Sequence, residues 1–152
     1  MRQPEQRAEV LIGDRDSSYL LIRALGRLHP GASDYWDGNW LITPVTISVD
    51  SFTGEVGASI RAEELRGLRE GLERLNHDLE GEAVLESMEG WLSLVFRMKA
   101  GGRIDISGQA CDRPGGRNRL CFVIDGLDQT NLPSIIDSLE LVETRFPVLA
   151  AP

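Results

Sequence analysis

The clearest hydrophobic pattern in the chain runs through residues 91–125, where apolar and polar residues alternate along three successive segments. Alternation of this kind is typical of strands with one buried face. Residues 100–102, Ala-Gly-Gly, separate the first two segments, and glycine is common in short hairpin loops. The hairpin predicted from this spacing places Met98 opposite Ile104 and Phe96 opposite Ile106.

The third segment, around Leu120, returns along the second. Pairing Ala110 with Phe122 keeps the apolar side chains of both strands on one face. The same register sets Cys111 opposite Cys121, where a cross-strand disulfide is conceivable. Two cysteines make neither a disulfide framework nor a metal site, so we expect free thiols in a reducing compartment.

The first half of the chain is predicted to form four strands, at Glu9–Gly13, Tyr19–Leu28, Trp40–Val49 and Glu55–Ile60. Residues 14–18 and 51–54 have the composition of turns. Pro44 lies inside the third strand and has no amide hydrogen for a sheet bond. It therefore indicates an edge strand or a bulge.

A helix is predicted from Ala62 to about Leu79, with leucines spaced three and four apart. This stripe consists of Leu65, Leu68, Leu72, Leu75 and Leu79. Gly67 and Gly71 weaken a helix, so we expect them to serve close packing on a sheet. Gly81 is expected to end the helix.

The second half repeats this plan. Its predicted strands are Ala83–Met88, Trp91–Lys99, Arg103–Cys111 and Leu120–Asp125, followed by a helix from about Asn131 to Arg145. The fold class is therefore α+β, with about eight short antiparallel strands and two amphipathic helices, arranged as two ββββα halves. Either an ancient duplication or one packing rule obeyed twice explains the repetition. We expect a single domain over residues 1–152, with 1–8 as a loose tail.

The net charge of −8 restricts the classes of partner, and the surplus of acids lies entirely in residues 1–90. Nucleic-acid binding depends on Lys and Arg and is disfavoured. A basic protein partner is compatible with this charge, and solubility alone also explains it. No apolar run reaches the length of a membrane span, and no signal peptide is evident, so we expect a cytoplasmic protein. A homo-oligomer is also compatible with this composition.

Catalytic chemistry has few candidates. His29 and His77 belong to no metal-ligand pair, and we expect both to be solvated or hydrogen bonded. Asp125 and Asp128 flank a glycine, as turn-forming aspartates do. An enzyme would need a deep polar pocket around these aspartates or His29. We therefore expect no catalytic residue, no metal and no cofactor.

Two features favour a binding surface instead. The first is residues 33–40, the aromatic segment, which is rich in turn-forming residues. Its partner-binding candidates are Asp34, Tyr35, Trp36 and Asp37. Aromatic residues in loops are frequent interface hot spots. We expect Trp40 to be buried and Tyr35 or Trp36 to be exposed; packing of the tryptophans over a sheet edge is the alternative.

The second feature is an acidic stretch, residues 78–89, that contains no Arg or Lys. Its partner-binding candidates are Asp78, Glu80, Glu82 and Glu86. The last three share strand parity, which predicts one solvent-facing acidic row. Such a row either docks a basic partner or forms an ordinary solvated face.

Seven stretches of the chain carry a family resemblance. They are Trp40-Leu41, Phe52-Thr53-Gly54, the leucine-rich helix through Leu75 and Leu79, Glu89-Gly90-Trp91-Leu92, Ile104-Asp105-Ile106-Ser107-Gly108, Asn118-Arg119-Leu120-Cys121-Phe122 and Asp128-Gln129-Thr130-Asn131-Leu132. Together they resemble the WapI-type immunity protein family. The resemblance implies a non-enzymatic inhibitor that binds a toxin domain, and it implies no particular contact residues. An uncharacterised scaffold is the main alternative, followed by a small-ligand-binding protein or an enzyme.

Overall fold

Six strands, four of them in one antiparallel sheet, and two helices form the first half of the fold in a computed structural model that describes residues 6–152. In chain order the elements are β1 (Glu9–Gly13), β2 (Tyr19–Arg23), β3 (Gly26–Arg27), α1 (Tyr35–Gly38), β4 (Leu41–Ile42), β5 (Val45–Val49), β6 (Phe52–Val56) and α2 (Ala62–Asp78). One sheet has the order β1-β2-β5-β6, and β3 and β4 pair separately. The β3–β4 pair and α1 are thus an insertion within a four-stranded meander.

The second half is a simpler meander followed by a helix. Its elements are β7 (Glu82–Glu86), β8 (Leu92–Met98), β9 (Arg103–Cys111), β10 (Arg119–Asp128) and α3 (Leu132–Arg145). These strands form one antiparallel sheet in the order β10-β9-β8-β7, and β10 carries a bulge between Ile124 and Leu127. The α+β class with antiparallel sheets and two long helices is confirmed.

The two halves interlock through their helices. The helix of the first half, α2, packs against β7 of the second sheet, and α3 packs against β1 of the first sheet. The helices also pack against each other, and β10 approaches β1 and β5. Apolar residues from both halves therefore form one continuous core.

The prediction of unbroken strands over 19–28 and 40–49 is wrong. Each divides into a long strand and a short one, with the second break at Thr43 and Pro44. The Thr43 hydroxyl accepts the Ile60 amide at 2.8 Å and donates to the Ala58 carbonyl at 3.2 Å, so it stabilises the break. Pro44 marks no edge strand, because β5 lies between β2 and β6.

The bounds predicted for the strand at Glu55–Ile60 are wrong, because β6 begins at Phe52 and ends at Val56. Phe52, Thr53 and Gly54 lie in β6 and not in a turn. The reversal takes place at Asp50 and Ser51, where Asp50 has φ of 51°. Aspartate tolerates this left-handed conformation better than most residues, and two residues are enough for a hairpin.

The predicted register of the second sheet is confirmed for one hairpin and wrong for the next. Met98 pairs with Ile104 as expected. On the other side Phe122 pairs with Gly108, two positions from the expected Ala110. A Cβ on Gly108 would lie 2.3 Å from the Phe122 ring, so the absence of a side chain admits the ring.

This shift also separates the two cysteines. Cys111 pairs with Arg119, and Cys121 pairs with Gln109. Both thiols are free; Cys111 is buried and Cys121 is exposed. The expectation of free thiols is confirmed, and the cross-strand disulfide that the predicted register made conceivable lacks that register.

Helix α2 matches its predicted extent, but its glycines do not share one role. A Cβ on Gly71 would lie 3.2 Å from the Ala83 Cβ, so Gly71 permits close contact with β7, as expected. Gly67 is exposed and has no such neighbour, so the packing role predicted for it is wrong. The helix ends at Leu79, which adopts the left-handed conformation itself (φ 58°), before Gly81 is reached.

A loose tail is expected at residues 1–8, and the first five of these lie outside the described residues. Ala8 is buried, and its carbonyl accepts the Ala24 amide at 2.8 Å. Residue 8 thus already extends the pairing of β1 with β2.

Replacing Gly67 by alanine is expected to raise the free energy of unfolding by about 0.5–1 kcal/mol, because alanine restricts the unfolded chain and fits the open site. Gly71→Ala is the matched control. Its new methyl group meets Ala83, so it is expected to give no gain or a loss. Urea denaturation monitored by circular dichroism measures both, and equal gains would contradict the packing of α2 on β7.

Candidate protein-binding surface

Arg61 immediately precedes α2 and is fully buried although its guanidinium is charged. The guanidinium donates hydrogen bonds to the carbonyl oxygens of Trp36 (2.6 Å) and Tyr35 (2.7 Å). Its Nε donates to the Glu63 carboxylate in the first turn of α2. A planar donor fork with partners in several directions compensates for the hydration lost on burial. Arg61 therefore fixes the aromatic segment against the start of α2.

Three aromatic rings surround the Arg61 guanidinium. Its central carbon lies 4.9 Å from the ring centroid of Trp40, 5.2 Å from Tyr35 and 5.7 Å from Trp36. Distances below about 6 Å permit cation–π attraction. Trp40 and Tyr35 are half-buried, whereas Trp36 is 56% exposed. The segment thus combines a small satellite core with one exposed indole.

Asn39 is a second fully buried polar residue in the aromatic segment. Its amide nitrogen donates to the carbonyl oxygens of Tyr35 (2.9 Å) and Leu149 (3.0 Å), and its oxygen accepts the Leu149 amide at 2.8 Å. Arg27 donates to the Pro147 carbonyl at 2.6 Å. These bonds hold the C-terminal residues against the aromatic segment.

Two aspartates, Asp34 and Asp37, lie within two residues of Trp36 in the chain. Asp34 caps α1, since its side chain accepts the Asp37 amide at 3.0 Å. Both aspartates are exposed. The structure therefore brings the four predicted residues of this segment together, with Trp36 as the exposed apolar group.

Glu64 connects the start of α2 to the turn between β7 and β8. Its carboxylate accepts the Arg61 amide at 2.9 Å and the Met88 amide at 2.7 Å. Burial raises the pKa of the Glu64 carboxyl, and these two hydrogen bonds oppose that effect without cancelling it. The exposed Met88 is thereby bonded to a residue three positions after Arg61, and Arg61 holds the Trp36 carbonyl.

The acidic row lies on and before the edge strand β7. Glu82 and Glu86 share its exposed face, and Glu80 and Asp78 are exposed ahead of it. Glu82 is paired, because the Arg97 Nε on β8 lies 2.8 Å from its carboxylate. The acidic stretch is thus less purely negative than its sequence indicates.

The two groups of predicted site residues do not form one patch. Arg61 at the first turn of α2 holds the aromatic segment, whereas Asp78 ends the helix. Seventeen helical residues span about 25 Å. Since β7 runs back along α2 and leads to Met88, Glu86 lies nearer the aromatic segment than Asp78 and Glu80 do. The aromatic segment and the acidic residues of β7 are therefore two separate groups, which are linked through the hydrogen bond between Glu64 and Met88.

Sequence reasoning missed Arg61, Asn39 and Glu64. The only local signal was glutamate at the third helical position, where a capping residue often stands. Burial of an arginine depends on partners 25 and 26 residues away in the chain. Such partners have no fixed sequence spacing.

The residues named for a catalytic alternative lie elsewhere. His29, Asp125 and Asp128 are all exposed. A cavity of about 250 Å³ opens between β6 and the facing ends of β9 and β10, and none of the three lines it. Within residues 6–152, no group of three or more His, Cys, Asp or Glu side chains has the geometry to hold a metal ion. No helix in that range is long and apolar enough to cross a bilayer.

Arg61→Met is expected to lower the free energy of unfolding by about 3–5 kcal/mol, because it leaves the Glu63 carboxylate and two carbonyl groups without their donor. Arg61→Lys keeps the charge but loses the planar donor fork, so its free energy of unfolding should lie between those of the wild type and Arg61→Met. Arg66→Met is the control: Arg66 is partly exposed, 3.8 Å from Glu70, and should cost at most about 0.5 kcal/mol. Urea unfolding followed by tryptophan fluorescence measures all three; equal losses at Arg61 and Arg66 would contradict the assigned role.

The raised pKa of Glu64 predicts a particular pH dependence. A carboxyl with a higher pKa in the folded state binds more protons there, so its contribution to stability falls as pH rises above its ordinary value. Relative to Glu64→Gln, the wild-type protein is therefore expected to lose unfolding free energy as pH rises from the ordinary range of a glutamate carboxyl through the raised pKa of Glu64.

Asp128 provides a control of opposite sign. Hydrogen bonds from the Thr130 hydroxyl and amide lower the pKa of its carboxyl. The stabilisation by Asp128 is present above the ordinary pKa of an aspartate and is lost as pH falls through the lowered pKa. The difference in unfolding free energy between the wild type and Asp128→Asn should therefore increase with pH. Denaturant titrations at several pH values measure both slopes; slopes of the same sign would contradict these assignments.

Comparison with known proteins identifies the family. The family model described as Immunity protein WapI-like family matches residues 10–147, which include both sheets and all three helices. Searches of curated proteins and of solved structures give no match. The family supports an immunity-protein role in general. Because the match covers nearly the whole chain, the protein belongs to the WapI-like immunity protein family.

Proposed function

We propose that this protein neutralises a bacterial toxin domain by binding it directly, without catalysing a reaction, and that Trp36 is the centre of the contact. The observation that carries the proposal is an exposed indole held by a buried arginine, in a member of an immunity family. Tryptophan is among the residues most enriched at interface hot spots.

The rigidity of the aromatic segment favours binding. The Trp36 carbonyl is fixed by Arg61, and its ring meets Tyr35 edge to face with centroids 5.1 Å apart. An ordered anchor loses little conformational freedom when a partner covers it. Asp34 and Asp37 supply a polar rim beside it.

The charge of the chain favours a basic partner. The net charge is −8, and Glu80 and Glu86 are exposed. Complementary charge accelerates association and excludes partners of like charge. Both cysteines are free, as is usual in the reducing cytoplasm, where we place the protein.

The first test is capture of the tagged protein's partner from its own host at low salt, with identification by mass spectrometry. We expect a basic toxin fragment, bound one to one. Trp36→Ala should weaken binding at least about tenfold, as loss of a hot spot does. Phe52→Ala is the matched control, because Phe52 is 65% exposed on β6, outside the aromatic segment and the acidic stretch, and should change affinity less than about twofold.

The triple variant Glu80→Gln, Glu82→Gln and Glu86→Gln tests the electrostatic part. It is expected to slow association and to reduce the dependence of affinity on salt, measured by surface plasmon resonance. If Trp36→Ala and the triple variant both leave affinity for the captured toxin unchanged, the choice of surface is wrong. If no toxin domain is captured, the proposed function is wrong.

A further inference from the structure

The edge strand β7 has a row of backbone groups without partners. Ser87 and Gly81, which flank it, bond to Leu92 and Met98 on the β8 side. Because the bonded positions alternate in an antiparallel pair, the amides and carbonyls of Glu82, Val84 and Glu86 point away from β8. Within residues 6–152, no hydrogen bond engages these outward backbone groups.

Helix α2 does not cover this edge. Its close contact is between Gly71 and the Ala83 side chain, which lies on the buried face of β7. The side chains of Glu82, Val84 and Glu86 are exposed, Val84 to 49%. Exposed residues therefore alternate along the whole of β7, and no strand in the described part of the chain pairs with its outer side.

The other three edge strands of the two four-stranded sheets are less available for pairing with an added strand. The outer side of β1 shares a groove with Ser134 and Ser138 of α3. The outer strand β6 lines the cavity at the junction of the two sheets, facing Arg119. The strand β10 is interrupted by its bulge, and bulges hinder edge pairing. The regular, open edge is β7.

We propose that the β7 edge takes up an extended strand of the toxin domain, which adds to the second sheet as a fifth strand and carries basic residues opposite Glu82 and Glu86. The proposal rests on the proposed function and gives it a binding mode. Addition of a strand to a sheet edge supplies backbone hydrogen bonds for affinity and alternate side chains for specificity.

Charge selects this occupant over a second copy of the chain. In an antiparallel pair of two β7 strands centred on Val84, Glu82 of each copy faces Glu86 of the other. Like charges directly opposite each other destabilise a sheet. An incoming strand with an apolar residue opposite Val84 and Lys or Arg two positions to either side has complementary charges in the same register.

The test uses a probe that does not depend on the toxin. The probe is a short, end-blocked peptide in which two lysines flank a central valine at alternate positions, with threonine elsewhere. Amide hydrogen exchange measured by NMR at millimolar peptide should slow about tenfold at Glu82, Val84 and Glu86. Exchange at Ala83 and Leu85, which already bond to β8, should not change. The same peptide with glutamates in place of lysines should have no effect.

Substitutions at Val84 separate the backbone from the side chain. Val84→Pro removes an outward amide that β8 does not use, so the strand is expected to remain paired and peptide affinity to fall about fivefold or more. Val84→Ala keeps the amide and should retain most of the affinity. Thermal unfolding measures whether both variants are folded. If Val84→Pro does not fold, the hydrogen-exchange data on the wild-type protein still test the proposal.

The proposal is overturned if the lysine peptide leaves exchange at the β7 edge unchanged, or if the glutamate peptide acts equally. Dimerisation of the protein through β7 in sedimentation experiments also overturns it. If a captured toxin binds while the three β7 amides exchange as in the free protein, the binding mode fails and the proposed function stands. If the peptide pairs but no toxin domain is captured, the assignment of the strand to a toxin fails with the proposed function.

Discussion

A buried arginine sets the geometry of the surface that we assign to partner binding. A charged group removed from water is tolerated only where its donors find acceptors, and the acceptors of Arg61 belong to the aromatic segment and to α2. Asn39 extends this constraint to the C-terminal residues. The segment that contains Trp36 is therefore held by polar contacts with defined directions and not by apolar packing alone.

The interlocking of the two halves links the aromatic segment to the edge strand β7. Helix α2 belongs to the first half but packs on the buried face of β7 in the second, and the exposed face of that strand carries Glu82 and Glu86. Glu64 joins the start of α2 to the turn before β8, because its carboxylate accepts the Met88 amide. The proposed interface thus spans both halves, as does the family match.

The surface combines three kinds of recognition at different places. Trp36 offers apolar area, the acidic row offers charge, and the outward backbone of β7 offers hydrogen bonds. Each of these is available because the local structure leaves it unsatisfied or exposed. Binding of a basic toxin domain would use all three, which is typical of a specific interface and unlike a small-ligand pocket.

Periodicity in the sequence by itself determined the α+β class, the two repeated halves, the extent of α2 and the pairing of Met98 with Ile104. These features depend on near neighbours in the chain, so local spacing predicts them. Only the tertiary structure decided the pairing of Phe122 with Gly108, because a shift of two residues keeps the same face buried. It also decided the internal place of β5 and the burial of Arg61, since strand order and buried charge depend on partners far away in the sequence.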